Sequence, residues 1–306
     1  MMRLTLIILI LFFSSKLSSN SANSFGTVGV NHSPSARFYE EGTLAISLSN
    51  NNDFRRLNLL AQPYNWLEVS IFYSDLFNLD YPASLGQSYK DKGFNMKIKL
   101  KNESANLPQL ALGLSDFAGT GLFSGEYLVG SKRFGSFDFS LGLGWGIYAE
   151  GNTLKNPLKY FSQSFEDRNY IYGSTVGEFD FKDYFSGKDV GIFSSIIYTQ
   201  GKHNLIVDLS SSNFKGRFGI IDEFSQNYIG YRFSANLYDA SMYFGDKEDV
   251  NFSVSFATNY ANYQSKKFKK VAPKHDAKIL NLIDNLQANN IGLKEINFSE
   301  DSLQIG

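Results

Sequence analysis

Between Leu122 and Gly146 the chain reads LFSGEYLVGSKRFGSFDFSLGLGWG, and its polarity alternates with a period of two. In the second half Phe137, Phe139, Leu141, Leu143 and Trp145 fall on one side; Asp138, Ser140, Gly142, Gly144 and Gly146 fall on the other. In the first half the same reading sets Phe123, Tyr127 and Val129 against Ser124, Glu126, Gly130 and Lys132. Side chains of a strand point alternately to opposite faces, so each half reads as a strand with one apolar face and one polar or very small face. Phe134-Gly135 between them is short enough for a hairpin turn, and Gly135 can take the positive φ that such a turn demands. Each arm has about 11 residues, the length a tilted strand needs to cross a bilayer. The pattern predicts a piece of a transmembrane β-barrel.

The same texture recurs along the chain. Twelve strands are predicted at 43–50, 54–62, 66–73, 93–101, 109–115, 122–133, 136–147, 190–200, 203–210, 227–236, 238–245 and 250–258. The connections sort themselves as barrel connections do, short at one rim and longer at the other. Pro63 to Asn65, Asn102 to Pro108, Phe134-Gly135, Gly201-Lys202 and Leu237 form the short set. The alternate set holds Ser74 to Lys92, Tyr148 to Asp189 and Ser211 to Gln226, which are the long ones. Composition agrees: 28 Phe and 18 Tyr give 16% aromatics, while charged residues are 19% against about 25% in ordinary globules. The expectation is an all-β, transmembrane antiparallel β-barrel of about 12 strands over 43–260, with an even count returning both ends to the periplasmic rim.

The ends read differently. Arg3 followed by the apolar run Leu4 to Phe13 and the small, polar stretch Ser14 to Ser24 predicts an export signal over 1–24. Residues 25–42 carry Gly and Pro as turn punctuation and are expected as a periplasmic N-terminal segment. From 261 to 306 the chain predicts a small periplasmic α/β extension. There Ile279, Leu282, Ile283 and Leu286 mark a helix stripe, and Ile296, Phe298, Leu303 and Ile305 mark one or two short strands. Such a piece cannot bury much core, so it reads as a docking element or the front of a truncated domain.

Candidate chemistry is sparse. A net charge of -1 without a basic stripe excludes a nucleic-acid partner. The absence of cysteine excludes disulfides, thiol catalysis and a cysteine-linked lipid anchor within these residues. His32, His203 and His275 are spread too widely to share a metal, and no serine stands in a nucleophile setting, so no cofactor, metal site or enzymatic activity is expected. Lys97, Lys99, Glu126, Lys132 and Asp138 sit among apolar alternates and are the candidate polar residues of the lumen, since charge on a lipid face costs about 2–4 kcal/mol. They either meet a hydrated polymer or pair with one another. Tyr148 to Asp189 concentrates aromatics and carboxylates, which suit a glycan contact or a fold over the barrel mouth.

Several segments resemble the YjbH family. They are Ser88 to Lys92 leading into Phe94 to Leu100, Gly119 to Val129, Ser131 to Gly135, and Leu141 to Gly146. Ser33 to Arg37 and Tyr184 to Gly187 support it, although the family more usually has Thr before Pro34. The resemblance spans most of 25–258. It implies an outer-membrane β-barrel tied to exopolysaccharide or capsule production, with outer-membrane lipid, exopolysaccharide and other export-complex proteins as partners. Family members are commonly about twice this length, so the match is to their N-terminal part. The rival uses of the same barrel are a general diffusion porin and an outer-membrane enzyme.

Overall fold

The computed structural model describes residues 20–80, 86–151, 153–168, 183–212 and 225–260. In the C-terminal part it describes 281, 284–285, 289, 296–299 and 302–305. In chain order the strands are β1 (Thr43–Asn50), β2 (Phe54–Tyr64), β3 (Leu67–Asp80), β4 (Ser88–Lys101), β5 (Gln109–Ser115), β6 (Gly125–Phe134) and β7 (Phe137–Gly144). After a short β8 (Thr153–Lys155) come β9 (Asp189–Gln200), β10 (His203–Leu209), β11 (Asn227–Ser234), β12 (Tyr238–Gly245) and β13 (Val250–Asn259).

All but β8 join, each to its sequence neighbours, into one closed antiparallel barrel of twelve strands. Closure is made by β1 against β13, with Thr43 opposite Asn259 and Asn50 opposite Phe252. That register also places the first and last barrel residues at the same rim, as an even strand count requires. β8 adds a short edge to the start of β9, with Leu154 opposite Val190. Among the described residues no helix is long and apolar enough to cross a membrane.

The strands form where alternation and turn chemistry agree. The β6–β7 hairpin turns at Gly135 and the β9–β10 hairpin at Gly201, whose φ values are 58° and 61°. Taller hairpins than expected arise at β3–β4, which runs on to Asp80 and restarts at Ser88. Apolar side chains such as Leu44, Ile46 and Leu48 of β1, Leu59 of β2 and Phe252 and Phe256 of β13 remain exposed on the outer wall, each above 40%. Together they form an apolar band around the wall. At the short-turn rim the band ends in aromatics: Tyr64 stacks on Trp66 at 5.7 Å, and Phe137 meets Tyr198 at 5.0 Å.

Two expectations are corrected here. In β6 the faces are reversed: Tyr127 and Val129 point inward with Gly144 and Gly142, while Leu128 faces out with Leu143. The lumen takes these apolar groups because glycines opposite them leave room. A Cβ on Gly113 would collide with the Tyr127 ring, one on Gly142 with the Phe193 ring, and one on Gly144 with Tyr148. Second, the segment expected outside the barrel over 25–42 enters it: residues 21–36 are buried throughout, beginning within the stretch expected as the end of the signal. Its many small and polar side chains suit a polar interior better than an independent fold, since it is too short to bury a core of its own.

Residues 264–306 form a separate unit. In it β14 (Ile296–Ser299) and β15 (Ser302–Ile305) pair as a hairpin, with Phe298 opposite Leu303. The helix stripe Ile279, Leu282, Ile283 and Leu286 lies outside the described residues, as do residues 1–19 and His275.

Candidate functional site

The candidate site is the lumen, and the chain's own N-terminal segment occupies it. Residues 20–38 run in and return, tied to themselves by bridges Ala22–Val28 and Gly29–Pro34. Asn20 Nδ2 donates to the Phe38 carbonyl at 2.6 Å, so both legs of the insert meet at its base. Positive φ at Gly26, 81°, makes one of its turns. A Cβ on Gly29 would meet the backbone of Ser33 and Pro34, which explains the glycine at that crossing.

The wall answers the insert group by group. Lys97 Nζ lies 3.0 Å from Glu68 and donates to the carbonyls of Val28 at 3.2 Å and Arg37 at 2.8 Å. Glu68 accepts from the Thr27 hydroxyl and from the Val28 amide. Asn95 donates to the Phe25 carbonyl at 2.8 Å, and Arg232 to that of Gly29 at 3.1 Å. Asp208 accepts the amides of His32 and Ser33 at 2.9 and 3.3 Å. At the base, Arg37 binds Asp138 through two bonds and Glu103 through a third of 2.6 Å. Buried charges are costly unless paired or hydrogen-bonded: Lys97 with Glu68 and Arg37 with Asp138 are ion pairs, while Asp208 and Arg232 rely on hydrogen bonds to the insert.

His32 sits at the top of the insert, wholly buried. Asn251 Nδ2 lies 3.0 Å from His32 Nε2, and Nδ1 lies 2.8 Å from the Ser24 hydroxyl, which itself donates to the Asn31 carbonyl. With the amide as donor, the proton sits on Nδ1 and the neutral ring uses both nitrogens. Burial, then the charge on Arg56, pushes the imidazole pKa down to about 3.

Toward the long-loop rim the interior turns aromatic. Arg56 is enclosed by Phe72 and Phe123, whose ring centroids lie 4.2 and 3.8 Å from the guanidinium carbon, and by Phe25 and Phe54 at 5.3 Å. Its Nε donates to Ser74 at 2.6 Å. Phe25 comes from the insert, so this cation–π cluster joins insert to wall. Tyr148 packs edge-on against Phe25 at 5.9 Å and against Tyr127 at 5.4 Å.

The five polar residues expected in the lumen divide. Lys97 and Asp138 face inward and hold the insert as described, and Lys99 shares that face with its Nζ 5.1 Å from the Phe38 ring. Glu126 and Lys132 do not belong to the lumen. Glu126 pairs in register with Leu114 and Lys132 with Phe139, both on the outer side. Glu126 is nonetheless fully buried, because the long connection before β9 folds back over it: Arg168 grips it with bonds of 2.7 and 2.9 Å, and the Phe185 amide adds another of 2.8 Å. Lys132 folds along the rim to the carbonyls of Ser104 and Ala105 and to Glu103 at 3.4 Å. The face error in β6 explains both. The groups that sequence reading overlooked, Glu68, Asp208, Arg56 and Arg232, are polar alternates inside strands, which is the signal that marks them.

Asn156 organises the long connection. Its side-chain amide donates to the carbonyls of Phe165, Phe185 and Gly187, and its oxygen accepts from Leu158 and from the Trp145 indole. Among the described residues no group of three or more His, Asp and Glu side chains is set to hold a metal, and His32 and His203 belong to different neighbourhoods, the second bonded to Tyr231.

Fold and site together define a closed, antiparallel β-barrel of twelve strands whose lumen is filled by its own N-terminal segment. The chain belongs to the YjbH family, "Exopolysaccharide biosynthesis protein YbjH", which it matches over residues 21–305. It is 34% identical over 249 residues to "Uncharacterized lipoprotein YjbH" of Escherichia coli (strain K12), a match covering 78% of this chain and 35% of that relative. The chain thus aligns with about a third of the relative's length. Among solved structures, a KdgM porin in complex with disordered oligogalacturonate matches at a TM-score of 0.38 and 8% identity, covering 71% of this chain and 99% of that one. A Rh. blastica porin mutant matches at 0.27 and 12%, covering 68% and 56%.

Proposed function

We propose that this protein is an outer-membrane β-barrel component of exopolysaccharide production and export, acting without catalysis as a docking base for the export machinery. Family membership supplies the process. The outward apolar band ending in aromatics supports insertion in a bilayer, because such a surface is stable only against lipid. Both barrel ends then lie at the short-turn rim, which in this reading is periplasmic and brings the C-terminal extension within reach of soluble partners.

The observation that carries the docking role is the occupied lumen. A diffusion pore needs open water across its interior, whereas here buried ion pairs and carbonyl contacts hold residues 20–38 in place. Removing them would strand Lys97, Glu68, Asp138, Asp208 and Arg232 without their contacts to the segment, leaving buried charges of both signs unsatisfied rather than a ready open path.

The test is a gene deletion scored for extracellular polysaccharide, alongside heat-modifiable migration of the protein from outer-membrane fractions. Lowered polysaccharide with a barrel in that fraction is expected. Unchanged polysaccharide together with ion conductance in planar bilayers would favour the porin instead. Recovery of the protein as a soluble periplasmic species would overturn membrane insertion.

A further inference from the structure

The long connection between β7 and β9 presents a feature that neither the barrel wall nor the lumen uses. Tyr160 and Phe161 are 81% and 83% exposed, side by side at the end of a 3-10 turn. Large aromatics are seldom left so bare on a folded surface. They are also held firmly. Asn156 caps the turn by accepting from the Leu158 amide, the amides of Phe161 and Ser162 both return to the Leu158 carbonyl, and Ser162 opens the next turn over 163–165.

A polar cleft belongs to the same folded piece. It has a volume of about 270 Å³ and is lined by Gly146, Glu166, Asp167, Arg168, Ser186 and Asp189, among others. Asn156 bonds at once to Phe165 beside the aromatic turn and to Phe185 and Gly187 beside the cleft, so the two features cannot move independently. Phe185 holds a φ of 59°, an uncommon conformation for a residue with a side chain. Its ring packs on Trp145 at 5.2 Å and its amide on Glu126.

Two kinds of surface want exposed aromatics beside polar groups: a lipid interface and a sugar chain. The charges choose between them. Glu166 and Asp167 are exposed next to the turn; Lys159 sets its Nζ 5.6 Å from the Tyr160 ring, Lys188 lines the cleft, and Arg168 is already committed to Glu126 at 2.7 Å. Lys155 is likewise paired with Asp189 at 2.9 Å. The open charges are therefore balanced, Glu166 and Asp167 against Lys159 and Lys188, and offer anionic headgroups none of the basic excess that would attract them. Sugar hydroxyls, by contrast, donate to carboxylates while the ring face stacks on an aromatic.

We propose that Tyr160 and Phe161, with the adjoining cleft at Glu166 and Asp167, form a binding site for an uncharged, hydroxyl-rich stretch of polysaccharide. The inference rests on the proposed role in exopolysaccharide export and names the part of the chain that touches the polymer. The aromatic pair supplies the stacking platform, and the carboxylates accept hydroxyl protons. The site lies on the connection rather than in the lumen, so it needs no displacement of residues 20–38.

The experiment uses the full chain folded in detergent and the producing strain's own secreted polysaccharide as probe, read by retardation in native affinity gels. The polysaccharide is used as isolated and after chemical reduction of its carboxyl groups. Retardation by both is expected, stronger for the reduced form. Y160A/F161A should lose it by 10-fold or more while keeping heat-modifiable migration, because both side chains are exposed and outside the barrel's core. E166Q/D167N should weaken it less. Binding by Y160A/F161A equal to wild type, or no retardation of the wild type, overturns the site. So does a Y160A/F161A variant whose defect is in liposome association instead. If deletion lowers polysaccharide but the variant binds normally, this site falls and the export role stands. If deletion has no effect, the export role itself falls.

Discussion

Arg37 and Asp138 join the inserted segment to the barrel wall through two parallel bonds, Nε to Oδ2 at 3.0 Å and Nη2 to Oδ1 at 2.7 Å. Paired guanidinium and carboxylate bonds of this kind fix orientation as well as distance. Asp138 also accepts from Arg133 at 2.7 Å, so the carboxylate binds one arginine of the insert and one of the wall. Glu103 reinforces the clasp from the β4–β5 turn. Burial works against its ionised form, yet the Arg133 amide and the Arg37 guanidinium hold its carboxyl below the ordinary range.

D138N should therefore loosen the base of the insert. Losing a partly buried pair costs on the order of 3 kcal/mol, softened here because Glu103 still holds Arg37. Trypsin cleavage after Arg37 in the folded barrel measures it. Cleavage should be slow in the wild type and at least 10-fold faster in D138N, and equal rates would remove the clasp from the account.

Lys97 and Glu68 give a sharper version of the same test. K97M leaves Glu68 buried without its cation and should destabilise the barrel by about 3–5 kcal/mol. K97M/E68L replaces both partners and should recover much of that loss. Thermal midpoints of heat-modifiable migration, compared as a double-mutant cycle, show whether the two effects are coupled.

Acid should weaken the insert through His32. Its pKa is about 3 in the fold against an ordinary 6.5, so the unfolded chain binds a proton that the folded one refuses. The stability tied to the neutral ring is complete above about 6.5 and is lost as pH falls toward about 3. Midpoints recorded across that window should fall for the wild type and fall less for H32Q. Parallel curves would mean that another group controls the acid limb.

The inward glycines make a packing prediction. G142A drives a methyl group into the Phe193 ring and should cost about 1–3 kcal/mol. G142A/F193L makes space again and should be closer to wild type than G142A alone. A Gly201→Ala change meets no neighbour, so its penalty is confined to the positive φ of 61° and should stay near 1 kcal/mol.

E126A tests the outer clasp. It leaves Arg168 and the Phe185 amide without their acceptor, yet the β6 pairing to β5 and β7 is untouched. Amide exchange should rise in 156–168 and 183–187 while the barrel strands stay protected. Exchange that spreads through β6 would instead make Glu126 part of the wall's own stability.

Alternation made the wall legible. In β1, Leu44, Ile46 and Leu48 face out against Ala45, Ser47 and Ser49 by simple parity, and Gly135 and Gly201 mark their turns by the conformation they permit. The lumen was only half legible. Lys97, Lys99 and Asp138 follow parity, but in β6 the apolar alternates Tyr127 and Val129 face inward, which carried Glu126 and Lys132 to the wrong side. Glycines on the facing strands made that choice, and no reading of β6 alone contains them.

The sequence by itself determined that this chain builds a closed antiparallel barrel, because strand period, turn residues and loop lengths are local properties. Only the tertiary structure decided what fills it. Residues 20–38 have no strong period of their own, and they find their fold in Glu68, Asn95, Lys97, Asp138, Asp208 and Arg232, which are spread over five strands. Those groups converge only when the barrel closes, since burial makes each unpaired charge costly and the insert supplies the partner.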